Sequence, residues 1–140
     1  MASAAIAGVG ATFSRATGDS DASYVALAEV NNITGPSMTR AFIDVTSLDS
    51  TGGYREFITG FRDAGEVKIT MNFTIANYNL MLDDFSDADA HHYKIVLNDT
   101  GDTSIAFHAL VTDMPLTVPT DDKVTIDVTF KLTGPIVLDT

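Results

Sequence analysis

Two segments of this chain alternate strictly between apolar and polar side chains. In "EVKITMNFT", Val67, Ile69, Met71 and Phe73 fall on one side, and Lys68, Thr70, Asn72 and Thr74 on the other. In "DKVTIDVTFKL", Val124, Ile126, Val128, Phe130 and Leu132 oppose Thr125, Asp127, Thr129 and Lys131. Successive side chains on a strand point to opposite faces, so each segment is a strand with one face for a core and one for water. A helix needs apolar residues every three or four positions and cannot use this pattern.

The remaining strands follow from weaker forms of the same signal. "YVALAEVNNI" (Tyr24 to Ile33) is one, ended by the turn at Gly35-Pro36. "TRAFIDVT" places Ala41, Ile43 and Val45 against Arg40, Phe42 and Asp44. "HYKIVLN" and "TSIAFHALVT" flank the turn "DTGD", and Gly134-Pro135 is expected to end the last strand. One stretch has helical spacing. In "IANYNLMLDDF", Tyr78, Met81, Leu82 and Phe85 define one face, with Asn77 as the expected cap. Asp83 and Asp84 oppose the helix dipole, which predicts a short helix. The expected fold is mainly β: an antiparallel β-sandwich with one short α-helix covering an open face.

The expected organisation is an arm at 1–23, a β-sandwich domain at 24–134 with a long loop at 47–64, and a tail at 135–140. The arm is rich in Ala, Gly and Ser and has no basic, apolar leader pattern. With 140 residues the chain fits one domain. It has no cysteine, so disulfides, thiolate metal sites and cysteine nucleophiles are excluded. Eight basic residues against 19 acidic ones give a formal net charge of -11, which repels nucleic acid and anionic membranes.

No chemical motif stands out. Gly8 and Gly10 have dinucleotide-loop spacing, but Phe13 occupies the third glycine position. His91 and His92 are neighbours on a strand and point apart, which suits solvated or interfacial histidines better than zinc. "DDFSDADAHH" and "NDTGD" lack the terminal glutamate of a calcium loop and read as solvated turns. Sequons occur at Asn32, Asn72 and Asn98. There is no nucleophile elbow. No catalytic residue, cofactor or metal ligand is assigned. The four prolines (Pro36, Pro115, Pro119, Pro135) are all expected in connections, leaving strand edges free to pair with other copies.

Taken in order, the pieces "AIAGVGATF", "ALAEVNNITGPS", "RAFIDVTSLDS", "YREFITGFRDAGEV" and "DDKVTIDVTFKLTG" resemble the major tail tube protein of long-tailed, lambda-like bacteriophages (siphoviruses). The likeness spans nearly the whole chain; the stretch from Leu80 to His92 is not distinctive. The resemblance implies a non-enzymatic virion protein, present in the host cytoplasm during assembly. It implies hexameric rings, each lined by a continuous β-barrel, stacked into a tube that passes genomic DNA without specific binding. Implied partners are further copies, a tape-measure protein, and tail-tip and tail-terminator proteins; no cofactor or membrane is implied.

Within such a tube, the polar residues Lys68, Thr70, Asn72, Thr125, Asp127, Thr129 and Lys131 are expected to line the lumen. The loop at 47–64 is expected to dock on neighbouring subunits. Tyr54 and Phe57 would be apolar anchors, with Arg55, Glu56, Arg62 and Asp63 as charged contacts. The competing arrangement folds this loop over its own sandwich, with Phe57 and Phe61 completing the core. Two other function classes compete. A monomeric extracellular β-sandwich binding or adhesion module would expose an aromatic cluster, though the chain has no tryptophan. A hydrolase would need His108 as its base.

Overall fold

A computed structural model describes residues 5–6, 8–17 and 23–139. It contains β1 (Thr12–Ala16), β2 (Tyr24–Ala26), β3 (Val30–Thr34), β4 (Thr39–Asp44), β5 (Phe57–Asp63) and β6 (Glu66–Asn72). The helix α1 (Ile75–Ser86) follows, then β7 (His91–Val96), β8 (Ser104–Asp113), β9 (Leu116–Thr117) and β10 (Thr125–Asp139). Eight strands form one antiparallel sheet in the order β2-β1-β7-β8-β10-β6-β3, with β9 also on β10. The two edge strands, β2 and β3, are consecutive in the chain and separated only by residues 27–29. The sheet therefore curls until its edges meet, and both faces of the sandwich belong to one continuous ladder.

The alternating segments behave as their pattern requires. β6 and β10 pair with Val67 opposite Phe130, Ile69 opposite Val128 and Met71 opposite Ile126. All six are fully buried. Inside the curl, Phe13, Tyr93, Phe107 and Phe130 pack ring to ring, with centroids 4.6 to 6.2 Å apart. Phe73 lies beyond the end of β6 and is exposed, because the chain turns there into the helix.

Four expectations need correction. The single strand expected from Tyr24 to Ile33 is two, β2 and β3, which lie at opposite edges of the sheet. The segment 1–23 is not an arm throughout: β1 runs between β2 and β7, and Phe13 sits in the core. Residues 1–4, 7 and 18–22 lie outside the described residues. Gly134-Pro135 does not end the last strand. β10 bulges between Thr133 and Val137, Gly134 takes a positive φ, and Val137 to Asp139 pair with β8. Proline is tolerated there because a bulge leaves residues out of the ladder. The loop at 47–64 contains a strand, β5, that pairs with β4 in a separate two-stranded sheet, so the true connection is 45–56.

The helix also differs from its sequence reading. Thr74, not Asn77, is the N-cap; its hydroxyl accepts from the Asn77 backbone N–H at 3.2 Å. The face turned to the sheet is Asn77, Met81 and Asp84, while Leu82 and Phe85 are 43% and 48% exposed. Polar anchors set this rotation. The Asn77 amide donates to the Ala28 carbonyl at 2.7 Å. Asp84 has a fully buried side chain. Arg15 donates to it twice, Nε to Oδ2 at 2.7 Å and Nη2 to Oδ1 at 2.6 Å. The Tyr93 hydroxyl donates to Oδ2 at 2.6 Å. Burial, and then this bond to a carboxylate, push the Tyr93 phenol well above its ordinary range. One of the carboxylates expected in a solvated turn is therefore the buried attachment of the helix.

Asp84→Ala would strand the Arg15 guanidinium and a buried phenol. A destabilisation of about 3–5 kcal/mol is expected in urea unfolding of the monomer. Asp83→Ala, on the exposed side of the same turn, should stay within about 0.5 kcal/mol of the parent. Equal midpoints for the two variants would contradict this role for Asp84.

Candidate assembly interface

β3 and β6 pair at the edge of the main sheet, and β4 and β5 continue the same two chain segments outward as a ribbon. Between the paired stretches the ribbon bends where two glycines cross it. Gly35 (φ 107) packs against the Glu66 carbonyl, and Gly65 (φ 82) against the Ser37 carbonyl. A Cβ at either position would collide with backbone, and the positive φ disfavours other residues as well. The bend is tied to the sheet by Leu132 N–H to the Gly65 carbonyl at 3.0 Å and by Lys131 Nζ to Asp63 at 3.3 Å. The Gly65 N–H and then Lys131 hold the Asp63 carboxyl below the usual carboxylate range.

Beyond that root the ribbon has no cover. Every residue of β4 is exposed, as is every residue of β5 except Gly60. Phe42 is 67% exposed, Phe57 55% and Phe61 95%, and Met38, Ile43, Ile58 and Tyr54 are open as well. The arrangement with Phe57 and Phe61 in the core is therefore not the one adopted. The register slips between Arg40 and Phe42, where Gly60 and Phe61 together face Ala41. Aromatic and β-branched residues favour strands, but a two-stranded ribbon alone is marginal in water. An open cleft separates its root from β10, lined by Met38, Arg62, Leu132 and Pro135 among others.

The charged residues of the loop mostly have partners within the chain. Arg55 donates to Asp44 at 2.8 Å, and Glu56 accepts from the Ser50 hydroxyl at 3.0 Å. Asp63 holds Lys131. Arg62, and Arg40 directly across from it, form no ion pair among the described residues. Sequence reasoning identified Tyr54 and Phe57 but not Phe42, Ile43 or Ile58. Phe42 and Ile43 lie in "TRAFIDVT", apolar on both faces, and Ile58 lies in "FITGFRD".

The seven polar residues of β6 and β10 do come together. Register sets Thr125 opposite Asn72, Asp127 opposite Thr70, Thr129 opposite Lys68 and Lys131 opposite Glu66. The Thr70 hydroxyl donates to Asp127 at 2.8 Å, and Asn72 donates to Glu29 at 2.8 Å. Thr129 is the exception in exposure, being buried. Elsewhere, His91 Nε2 lies 3.1 Å from Asp87 and 3.5 Å from Asp84, while His92 stacks on His108 across β7 and β8. No group of three or more histidine or acidic side chains among the described residues could hold a metal ion. No helix of the described residues is long and apolar enough to cross a membrane.

Residues 7–138 match the family model described as lambda phage tail tube protein, TTP. The chain belongs to the lambda phage tail tube protein family. It is a structural, tube-forming component of the virion tail. No curated protein matches the sequence. Among solved structures, a chain from the virion of a native gene transfer agent superposes with a TM-score of 0.76 at 17% identity, covering 97% of this chain and 100% of that one. A chain from the tail of an empty gene transfer agent particle, refined with C6 symmetry, gives 0.75 at 17% identity over 92% and 95%. The SPP1 tail tube gives 0.71 at 11% identity, over 96% of this chain and 79% of that one. At these identities the likeness establishes a shared tail-tube fold.

If the ribbon is uncovered in the monomer, trimming its aromatics costs little there. Phe57→Ser and Phe61→Ser should change monomer stability by less than about 0.5 kcal/mol. Phe130→Ala in the core should cost about 3–5 kcal/mol in the same urea titration. A loss above 2 kcal/mol for either ribbon variant would show that the ribbon packs on its own subunit.

Proposed function

We propose that this tail tube protein closes into hexameric rings stacked as a tube, with the β4–β5 ribbon and its 45–56 connection as the main element docked on neighbouring subunits. The observation that carries this reading is the ribbon itself. Several large apolar side chains stand in water on an element with no core of its own. Tyr54, Phe57 and Arg62 serve as contacts to the neighbour. Arg55, Glu56 and Asp63 shape the ribbon and its root through their bonds within the chain.

The shared polar face of β6 and β10 is the lumen wall in this reading. Lys68 and Lys131 are its cations, and Asp127, Glu66, Glu29 and Asp63 lie on or beside it. Carboxylates in excess, facing a narrow channel, keep DNA from gaining affinity through counterion release. Only side chains within about a Debye length (roughly 8 Å) of the DNA contribute. The protein acts without catalysis. Its partners are other copies, a tape-measure protein in the channel, and terminator and tip proteins at the ends.

Asp44 and Phe57 are directly paired, so the residues between them can be replaced by a two-residue Asn-Gly turn. The shortened chain should fold and remain monomeric, with no tubes in negative-stain micrographs where the parent chain forms them. Normal tubes from the shortened chain would remove the connection from the interface.

A further inference from the structure

A second surface of the molecule also lacks cover. Because Asn77 and Asp84 fix the rotation of α1, Ile75, Tyr78, Leu82 and Phe85 form a stripe along its flank at spacings of three, four and three. Ile75 is largely exposed, Leu82 and Phe85 are nearly half exposed, and Phe73 extends the stripe by packing its ring, tilted, on Tyr78 with centroids 5.6 Å apart. The C-terminal end of the helix, beside the stripe, is negative. Asp83 and Asp89 are exposed, and no basic residue occupies the last helical turn, so the negative end of the helix dipole is uncompensated by the helix's own side chains.

One face of the ribbon has the opposite character. Register puts Arg40, Phe42, Phe57, Thr59 and Arg62 together, with the two arginines directly opposite each other. Like charges in that position repel, and no carboxylate among the described residues pairs with either. The remaining acid on this face, Asp44, is taken by Arg55. In a chain of net charge -11, an unneutralised arginine pair beside two phenyl rings is the surface that calls for an anionic, apolar partner. The lengths are comparable: seven-residue β5 spans about 23 Å, and twelve-residue α1 about 18 Å.

We infer that the ribbon of one copy lies along the helix stripe of the next, with Phe42 and Phe57 on Leu82 and Phe85, and Arg40 and Arg62 facing Asp83 and Asp89. This rests on the self-assembly reading and names the acceptor surface that reading leaves open. Ribbon and stripe are different patches of one chain, so the contact is head-to-tail. Such a contact generates a ring when its rotation closes.

The absence of cysteine makes the test direct. Thr59→Cys and Leu82→Cys chains are assembled together into tubes and treated with a short bismaleimide. A cross-linked dimer is expected from the mixture and none from either variant alone. Tubes that give no mixed dimer overturn the docking. Charge exchange supplies the independent arm. Arg40→Glu with Arg62→Glu, and separately Asp83→Arg with Asp89→Arg, should each cut pelletable tubes at least tenfold while leaving the monomer's circular dichroism unchanged. All four substitutions in one chain should restore tubes. Unimpaired assembly of the arginine variant, or a quadruple variant no better than the pairs, overturns the pairing. Failure of the unsubstituted chain to form tubes overturns the assembly reading as well, whereas tubes without the cross-link overturn only the docking.

Discussion

Two strands alone have no inside. Each face of the β4–β5 ribbon needs an outside surface to remove its apolar side chains from water, and the described residues supply none beyond the ribbon's root. The two crossing glycines make the overhang possible by letting β3 and β6 continue past the edge of the sheet at a bend where no Cβ fits. The Lys131–Asp63 pair and the Leu132–Gly65 hydrogen bond fix where that bend begins. Folding of the main sheet and placement of the ribbon are therefore separate problems: the first is solved within the chain, and the second, in the proposed assembly, by a neighbour.

The main sheet solves its problem conventionally. A curled ladder with four packed aromatic rings closes around its own core, and its edges meet at residues 27–29. The helix is held by hydrogen bonds as well as by the apolar contact of the fully buried Met81. Asp84 gathers Arg15 from β1 and Tyr93 from β7, so one buried carboxylate ties three elements together. The price of that orientation is an exposed apolar stripe, which is the surface we propose for the ribbon of another copy.

How much of this could be read from the sequence depends on how local each cause is. β6 and β10 were legible because a period of two is written into neighbouring residues, and their register followed once they paired. The existence of α1 was legible for the same reason. Its rotation was not, because it depends on Arg15, 69 residues from Asp84. β5 was hidden by Gly60 and Phe61, whose bulge breaks the alternation of "FITGFRD". β1 was hidden because a single large apolar residue, Phe13, carries its burial among small or polar ones. At the other end, Gly134-Pro135 resembles a stop and is a bulge. Of the loop residues singled out by type, Tyr54 and Phe57 stand exposed, while Arg55, Glu56 and Asp63 have internal partners that only the folded loop reveals.

Hydrogen exchange of monomer and assembled tube, compared amide by amide, tests the central claim most directly. Exchange at an exposed, two-stranded element is expected to be fast because little free energy opposes its opening. The account predicts rapid exchange across residues 39–63 in the monomer and strong protection of the same residues in the tube, with β6, β8 and the first half of β10 slow in both states. A ribbon already protected in the monomer, or one that still exchanges freely in the tube, would contradict it.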